Sequence, residues 1–391
     1  MMATGLRPRL VLVLAVAAAS PGLAQDAPLR LRVTSALDAA RPAETVEVPA
    51  AALGPKFAAA DLPRLVVADL RSGRELLSQA VDEDGDGTFD RLVFQADFAP
   101  GEAREFALAR GEARKPRLSE YRVYGRFVRE RHDDFAWEND RVAFRFYGAA
   151  LETFKGEPLT SSALDAWSKR TPRLVLNDWY LQDDYHKDHG EGGDFYPAGK
   201  TRGCGGSGLV VNGALAVSKN FRASRVLAPG PIRLVFELDY PEWETAGLEV
   251  KETRRVTLDA GSQLNKLESF YRVPGTGPVT WAAGIRKAEG VTPRVDRERG
   301  IVRTWEHQTR YGDNGWLGCG VVVDPAVVVE AREEGGSQLV IARIPSGWPA
   351  TWYAGSGWDG SGRFPDVGAW DRYLDAFAAR LRSPLKVEVG R

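Results

Sequence analysis

Nine residues constrain this fold more than any other stretch. From Ile232 to Tyr240 the apolar Ile232, Leu234, Phe236, Leu238 and Tyr240 alternate with Arg233, Val235, Glu237 and Asp239. Successive side chains of an extended strand point to opposite faces, so this period of two places one face on a core. The charges on the other face predict a polar groove. Val142, Phe144 and Phe146 repeat the pattern against Arg145 and Tyr147, and residues 249–258, 263–273 and 279–287 continue it. Forty-one Gly, 23 Pro, 16 Phe and 11 Tyr beside two Met fit a turn-rich β protein better than a helical bundle.

Shorter strands come first, over Leu29–Val33, Thr45–Val48, Arg64–Leu70, Leu92–Ala96 and Glu105–Leu108, with turn signals between them. The polar stretch 111–117 reads as a linker. The expected organisation is a small β-domain over 25–110, that linker, and a large antiparallel β-unit over 118–391. The one helical period is late, with Val367, Trp370, Leu374, Phe377 and Leu381 starting after Pro365-Asp366. Arg7 and Arg9, the apolar run Leu10 to Ala19 and the small residues up to Ala24 predict a secretory signal over 1–24, cleaved after Ala24. The expected location is therefore periplasmic or secreted, with no integral membrane segment in the mature chain. Fifty-two basic against 53 acidic side chains give no electrostatic footprint for nucleic acid.

The chemistry concentrates between Trp179 and Gly208. Asp183-Asp184-Tyr185-His186-Lys187-Asp188-His189-Gly190-Glu191-Gly192-Gly193-Asp194 holds two of the four His on a loop, where scaffolds present functional groups. His186 and His189 with nearby carboxylates offer metal ligands, although the spacing matches no strict metal signature. The favoured reading makes His186, Tyr185 and His189 a general acid–base set, with Arg202 holding an anionic substrate. Arg202-Gly203-Cys204-Gly205-Gly206-Ser207-Gly208 satisfies a dinucleotide glycine pattern only in letters, since neither the preceding strand nor the following helix is present.

Asp82, Asp84, Asp86 and Asp90 are spaced as in a calcium loop, but Val93 stands where the bidentate Glu belongs. A structural Ca²⁺ and a plain acidic turn both remain open; no cofactor is required by the acid–base reading, and a catalytic metal stays open. Cys204 and Cys319 read equally well as a disulfide or as buried thiols. The run GWPATWYAGSGWDGSG (347–362) joins turn residues to aromatics and reads as sugar-binding loops. Expected substrate contacts are Trp179, Trp352 and Trp358, with Arg145, Arg233 and Glu237 from the groove strands.

Several segments together resemble the DUF4861 family: Asp133-Asp134-Phe135-Ala136-Trp137-Glu138-Asn139-Asp140-Arg141-Val142-Ala143-Phe144, the His loop from Asp184 to Gly192, the run Arg202 to Gly208, and Tyr353-Ala354-Gly355-Ser356-Gly357-Trp358. The likeness covers most of residues 70–390. It implies an exported protein of bacterial polysaccharide degradation acting on uronate-containing glycans, some relatives being oligosaccharide dehydratases. It also implies a galactose-mutarotase-like β-supersandwich. The site assignments above rest on residue chemistry alone.

The function this predicts is β-elimination of water from a terminal uronate of an acidic oligosaccharide, leaving a 4,5-unsaturated sugar. Removing the C5 proton builds charge beside a carboxylate, so a cationic clamp is needed: Arg202 first, Arg145 or Arg233 in reserve. The alternatives are a non-catalytic sugar-binding sandwich and a metal-dependent glycan lyase or hydrolase.

Overall fold

The computed structural model describes residues 27–112 and 115–390. The expected signal segment lies outside the described residues. The chain is mainly β, in several antiparallel sheets, with the late helix in place.

The N-terminal strands form two sheets. Leu29–Thr34, Ala103–Arg110 and Leu65–Asp69 build one, and Arg41–Pro49, Arg91–Phe98 and Ser78–Val81 the other. Leu31, Val33, Val46, Val48, Phe94, Phe106 and Leu108 pack between them. The strand Lys386–Val389 also pairs here, Leu31 facing Val389. Residues placed by the sequence with the large unit thus return to the small one.

The large unit is a sandwich of a ten-stranded and a five-stranded sheet, with a further five-stranded sheet built from Val123–Val128, Asp134–Asn139, Ala143–Phe146, Leu164–Lys169 and Gly192–Gly193. The alternation behaves as read. Leu234 pairs with Leu258 and Phe236 with Val256, and all four enter one core with Trp137, Phe144, Phe146, Trp281 and Val340. Arg233 pairs with Asp259 on the opposite face, its Nε 2.7 Å from Oδ1. That face carries the small domain: Gln79 Oε1 accepts from the backbone of Ile232 at 2.9 Å and Arg233 at 2.8 Å, and Arg233 reaches Glu47 at 2.6 Å. Between the two units runs the polar groove, about 860 Å³, lined by Arg233, Arg255, Asp259, Lys266, Glu268 and Tyr353 among others.

The late helix spans Val367–Arg382. Asp366 caps it, accepting from the Ala369 amide at 2.7 Å. Trp370 and Leu374 are buried against the ten-stranded sheet. This contact explains why 347–362 is not a loop: Ala350–Trp358 is a strand covered on both faces. A Cβ on Gly357 would stand 2.6 Å from the Trp370 ring, and one on Gly355 1.9 Å from the Gln263 carbonyl oxygen. The glycines that looked like turns allow close packing. Trp352 accordingly lies in the core with its Nε1 donating to the Gly205 carbonyl at 2.8 Å. A second helix, Leu176–Gln182, was not anticipated; it lays Leu176, Trp179 and Tyr180 on the outer face of the Ala143–Phe146 sheet.

Candidate active site

Ala143–Phe146 and Leu164–Lys169 pair so that Arg145 stands opposite Asp165. Phe144 and Phe146 point into the large core, so Arg145 must point outward, where the short helix and the His loop bury it. Its guanidinium meets Asp165 at 2.6 Å, Asp194 at 3.1 Å and Asp134 at 3.7 Å. One buried cation thus faces three buried carboxyls. Burial pushes the Asp134 carboxyl up to about 7 even though Arg145 pulls it down. Burial, then the Asp165 charge, holds Asp194 well above the carboxylate range. Burial disfavours the Arg145 charge as well, but the carboxylates outweigh it and keep the group cationic.

Above this floor lie Tyr185 and His186. Tyr185 stacks on Trp167, with ring centres 5.0 Å apart, and its hydroxyl accepts from Arg131 Nε at 2.6 Å. Arg131 Nη2 donates to Glu157 at 3.0 Å, while Nη1 is buried without a hydrogen-bond partner among the described residues. His186 Nδ1 lies 2.9 Å from the Asp194 carbonyl oxygen. A carbonyl only accepts, so Nδ1 carries the proton and the Nε2 lone pair is left free. Burial, reinforced by the Arg145 charge, lowers the His186 pKa despite the bond to Asp194. The imidazole is therefore neutral near pH 7. Tyr311 covers it from a distant hairpin, with ring centres 4.1 Å apart and planes within 17°. The Tyr185 and His186 rings are 4.8 Å apart, close enough to address one substrate group.

The structure divides the residues singled out by sequence. Tyr185, His186 and Arg145 come together. Arg202 does not join them. It lies beneath the same sheet on its inner face: Nη1 donates to Ser162 Oγ and the Ser207 carbonyl at 3.2 Å, beside Arg254, which sits over Phe146. Burial and the Arg254 charge bring Arg202 down to about 10. Arg145 and Phe146 are consecutive on one strand, so the two arginine sites occupy opposite faces. His189 turns away to Asp184, with Nε2 3.2 Å from Oδ2, and does not converge with His186 as a ligand pair.

Trp179 is buried against Trp167 as part of the wall. Trp358 is buried with its Nε1 donating to the Asn314 carbonyl at 2.6 Å, and with Trp352 it packs rather than facing solvent. Arg233 and Glu237 lie on the groove face, where Arg233 binds Asp259 and Glu47, and Glu237 binds Arg225 at 2.6 Å and Arg255 at 2.8 Å. Asp82, Asp84 and Asp86 bring ligand oxygens within 4.8 Å of one another, whereas Asp90 accepts from the Glu83 amide at 2.6 Å and is not one of them. Cys204 and Cys319 are buried free thiols.

The groove has no His-loop residue in its lining, and its charges are answered mostly within each unit: Arg91 by Glu47 and Glu83, Arg233 by Asp259, Lys266 by Glu268; Arg380 with Glu44 and Arg233 with Glu47 cross between the units. The His loop is where a neutral imidazole, a phenol and an unpartnered guanidinium nitrogen meet. Sequence reading missed Arg131, Asp134, Asp165 and Tyr311. The alternation of Arg145 and Asp165 with buried neighbours carried a signal; Tyr311 carried none.

The DUF4861 family model, described as a domain of unknown function, matches residues 33–387. An uncharacterized protein P7 of Formosa agariphila is 32% identical over 386 residues, covering 93% of this chain and 94% of its own. Two solved Enterococcus faecalis structures are similar at 12% identity and TM-score 0.47 over 93% of this chain: an alpha-mannosidase and a protein of glycosyl hydrolase family 38. The chain spans about half the length of each, 46% and 47% respectively.

Proposed function

This chain belongs to the DUF4861 family, and from that premise we propose that it is a carbohydrate-active lyase removing water from a terminal uronate of an acidic oligosaccharide. What carries the proposal is the opposite wiring of two neighbouring residues. Tyr185 accepts from Arg131 and keeps its own O–H to give; His186 donates through Nδ1 and keeps Nε2 to receive. The reading therefore makes His186 the base and Tyr185 the acid.

In the reaction, Nε2 takes the C5 proton, the C4=C5 bond forms, and the C4–O bond breaks as the Tyr185 proton completes a molecule of water. The proton on His186 and the vacancy on Tyr185 are then re-equilibrated through solvent. Arg131 Nη1, without a hydrogen-bond partner among the described residues, turns outward from its buried position to donate to the substrate carboxylate as charge builds on it. The same guanidinium steadies the phenolate left behind.

The test is incubation with a panel of uronate-terminated oligosaccharides, following ultraviolet absorbance and mass together. The expected product absorbs and is lighter by one water, whereas chain cleavage gives smaller fragments. His186→Ala abolishes the product, and Tyr185→Phe slows it by about 10²-fold or more. Full turnover by the His186→Ala protein would remove the proposal.

A further inference from the structure

Tyr311, which covers His186, belongs to a hairpin whose other exposed ring and cation serve neither the fold nor the acid–base pair. Glu306–His307 pairs with Trp316–Leu317, and the Gln308 amide donates to the Gly315 carbonyl at 2.8 Å, closing the loop. Glu306 is tied to Arg286 at 2.6 Å and Trp358 Nε1 holds the Asn314 carbonyl, so the base is anchored in the large unit. His307 is exposed: Nε2 contacts Asp313 at 2.8 Å and its ring stacks on Trp316, centres 5.1 Å apart.

Trp316 is 44% exposed and Tyr311 37%, unusual for rings this large. Arg310 lies exposed over the Tyr311 ring, 5.1 Å from its centre, with no carboxylate partner among the described residues. One rim therefore offers the Trp316 indole face turned from His307 and an uncompensated cation. It is continuous with the proposed acid–base pair through the stack of Tyr311 on His186. Tyr311 and Trp316 are five positions apart, a span of at most about 18 Å.

We infer that this hairpin is a second sugar subsite, with Trp316 stacking a ring of an acidic oligosaccharide beyond the reacting uronate and Arg310 meeting that chain's next anionic group. Sugar faces present apolar C–H surface to a ring while their hydroxyls remain in water, which suits a half-exposed indole. The inference rests on the reading of His186 as the reacting end, and it makes the preferred substrate an oligosaccharide rather than a single uronate.

Binding is measured on the His186→Ala protein, so that no turnover is required, using a uronate-terminated disaccharide and tetrasaccharide. Adding Trp316→Ala should weaken the tetrasaccharide about tenfold and leave the disaccharide within about twofold, with Trp316→Phe restoring most of the loss. Arg310→Ala should weaken the tetrasaccharide in a salt-dependent way. Equal loss on both sugars, no loss on either, or no binding of either by the parent protein overturns the subsite. Selective loss on the tetrasaccharide, with no water lost by the wild type on any uronate, keeps the subsite and removes the elimination reaction instead.

Discussion

Asp134 gives the sharpest physical test of the buried cluster. Its carboxyl moves from an ordinary value near 3.8 to about 7 in the folded chain, chiefly through burial. In the unfolded chain it ionises near its ordinary value. Below about pH 4 both states hold the proton and Asp134 contributes nothing. As pH rises from 4 to 7 the unfolded state releases the proton while the folded state keeps it, so stability falls, and above 7 the loss is complete. At about 1.36 kcal/mol per tenfold, the span from 3.8 to about 7 amounts to roughly 4 kcal/mol. Asp134→Asn cannot ionise, and its amide oxygen can still accept from the Gly148 amide, now 2.9 Å from Oδ1. Urea unfolding of both proteins at pH 5, 6, 7 and 8, followed by tryptophan fluorescence, should show the variant gaining on the wild type by a few kcal/mol across the range. A difference that stays constant with pH would refute the argument, because then Asp134 would titrate alike in both states.

Three further outcomes follow from the geometry. The acid limb of kcat/KM for the proposed elimination should fall below the ordinary imidazole range, because His186 must be deprotonated and its pKa is lowered; activity still rising with pH above 7 would contradict His186 as the base. Arg233→Met should cost about 3 kcal/mol in urea unfolding, because it strands Asp259 and removes one of the two arginines on Glu47, which keeps Arg91, at the junction of the two units; a loss under about 0.5 kcal/mol would mean that Asp259 is fully solvated. Gly355→Ala should destabilise by about 3 kcal/mol or fail to give folded protein, since the new methyl meets backbone rather than a movable side chain; a wild-type melting temperature would contradict this.

The parts of the fold legible in the sequence are those fixed by local periodicity. Leu234, Phe236 and Leu238 sort themselves by alternation alone, and the five early strand segments fall on strands. Asp366 announces the helix because a carboxylate there satisfies an otherwise orphaned amide. What was misread depends on partners far along the chain. Gly355 and Gly357 look like turn residues until Gln263 and Trp370 are brought against them. Of the site, Tyr185 and His186 stood out by composition, and Arg145 by its place in an alternating strand. Arg202 was grouped with them because it is near in sequence, but the intervening sheet puts it on the other face. Arg131 and Tyr311 come from separate segments and meet the loop only through tertiary packing.

The clasp between Leu29–Thr34 and Lys386–Val389 has a bearing on assembly. A nascent chain can lay down the early strands, yet their sheet keeps an open hydrogen-bonding edge until Lys386–Val389 has been made. The large sandwich must then form between two halves of a unit that waits for it. Truncation before Lys386 would leave Leu29–Thr34 bare along that side, a template for another molecule's backbone, and should favour aggregates over a shortened monomer.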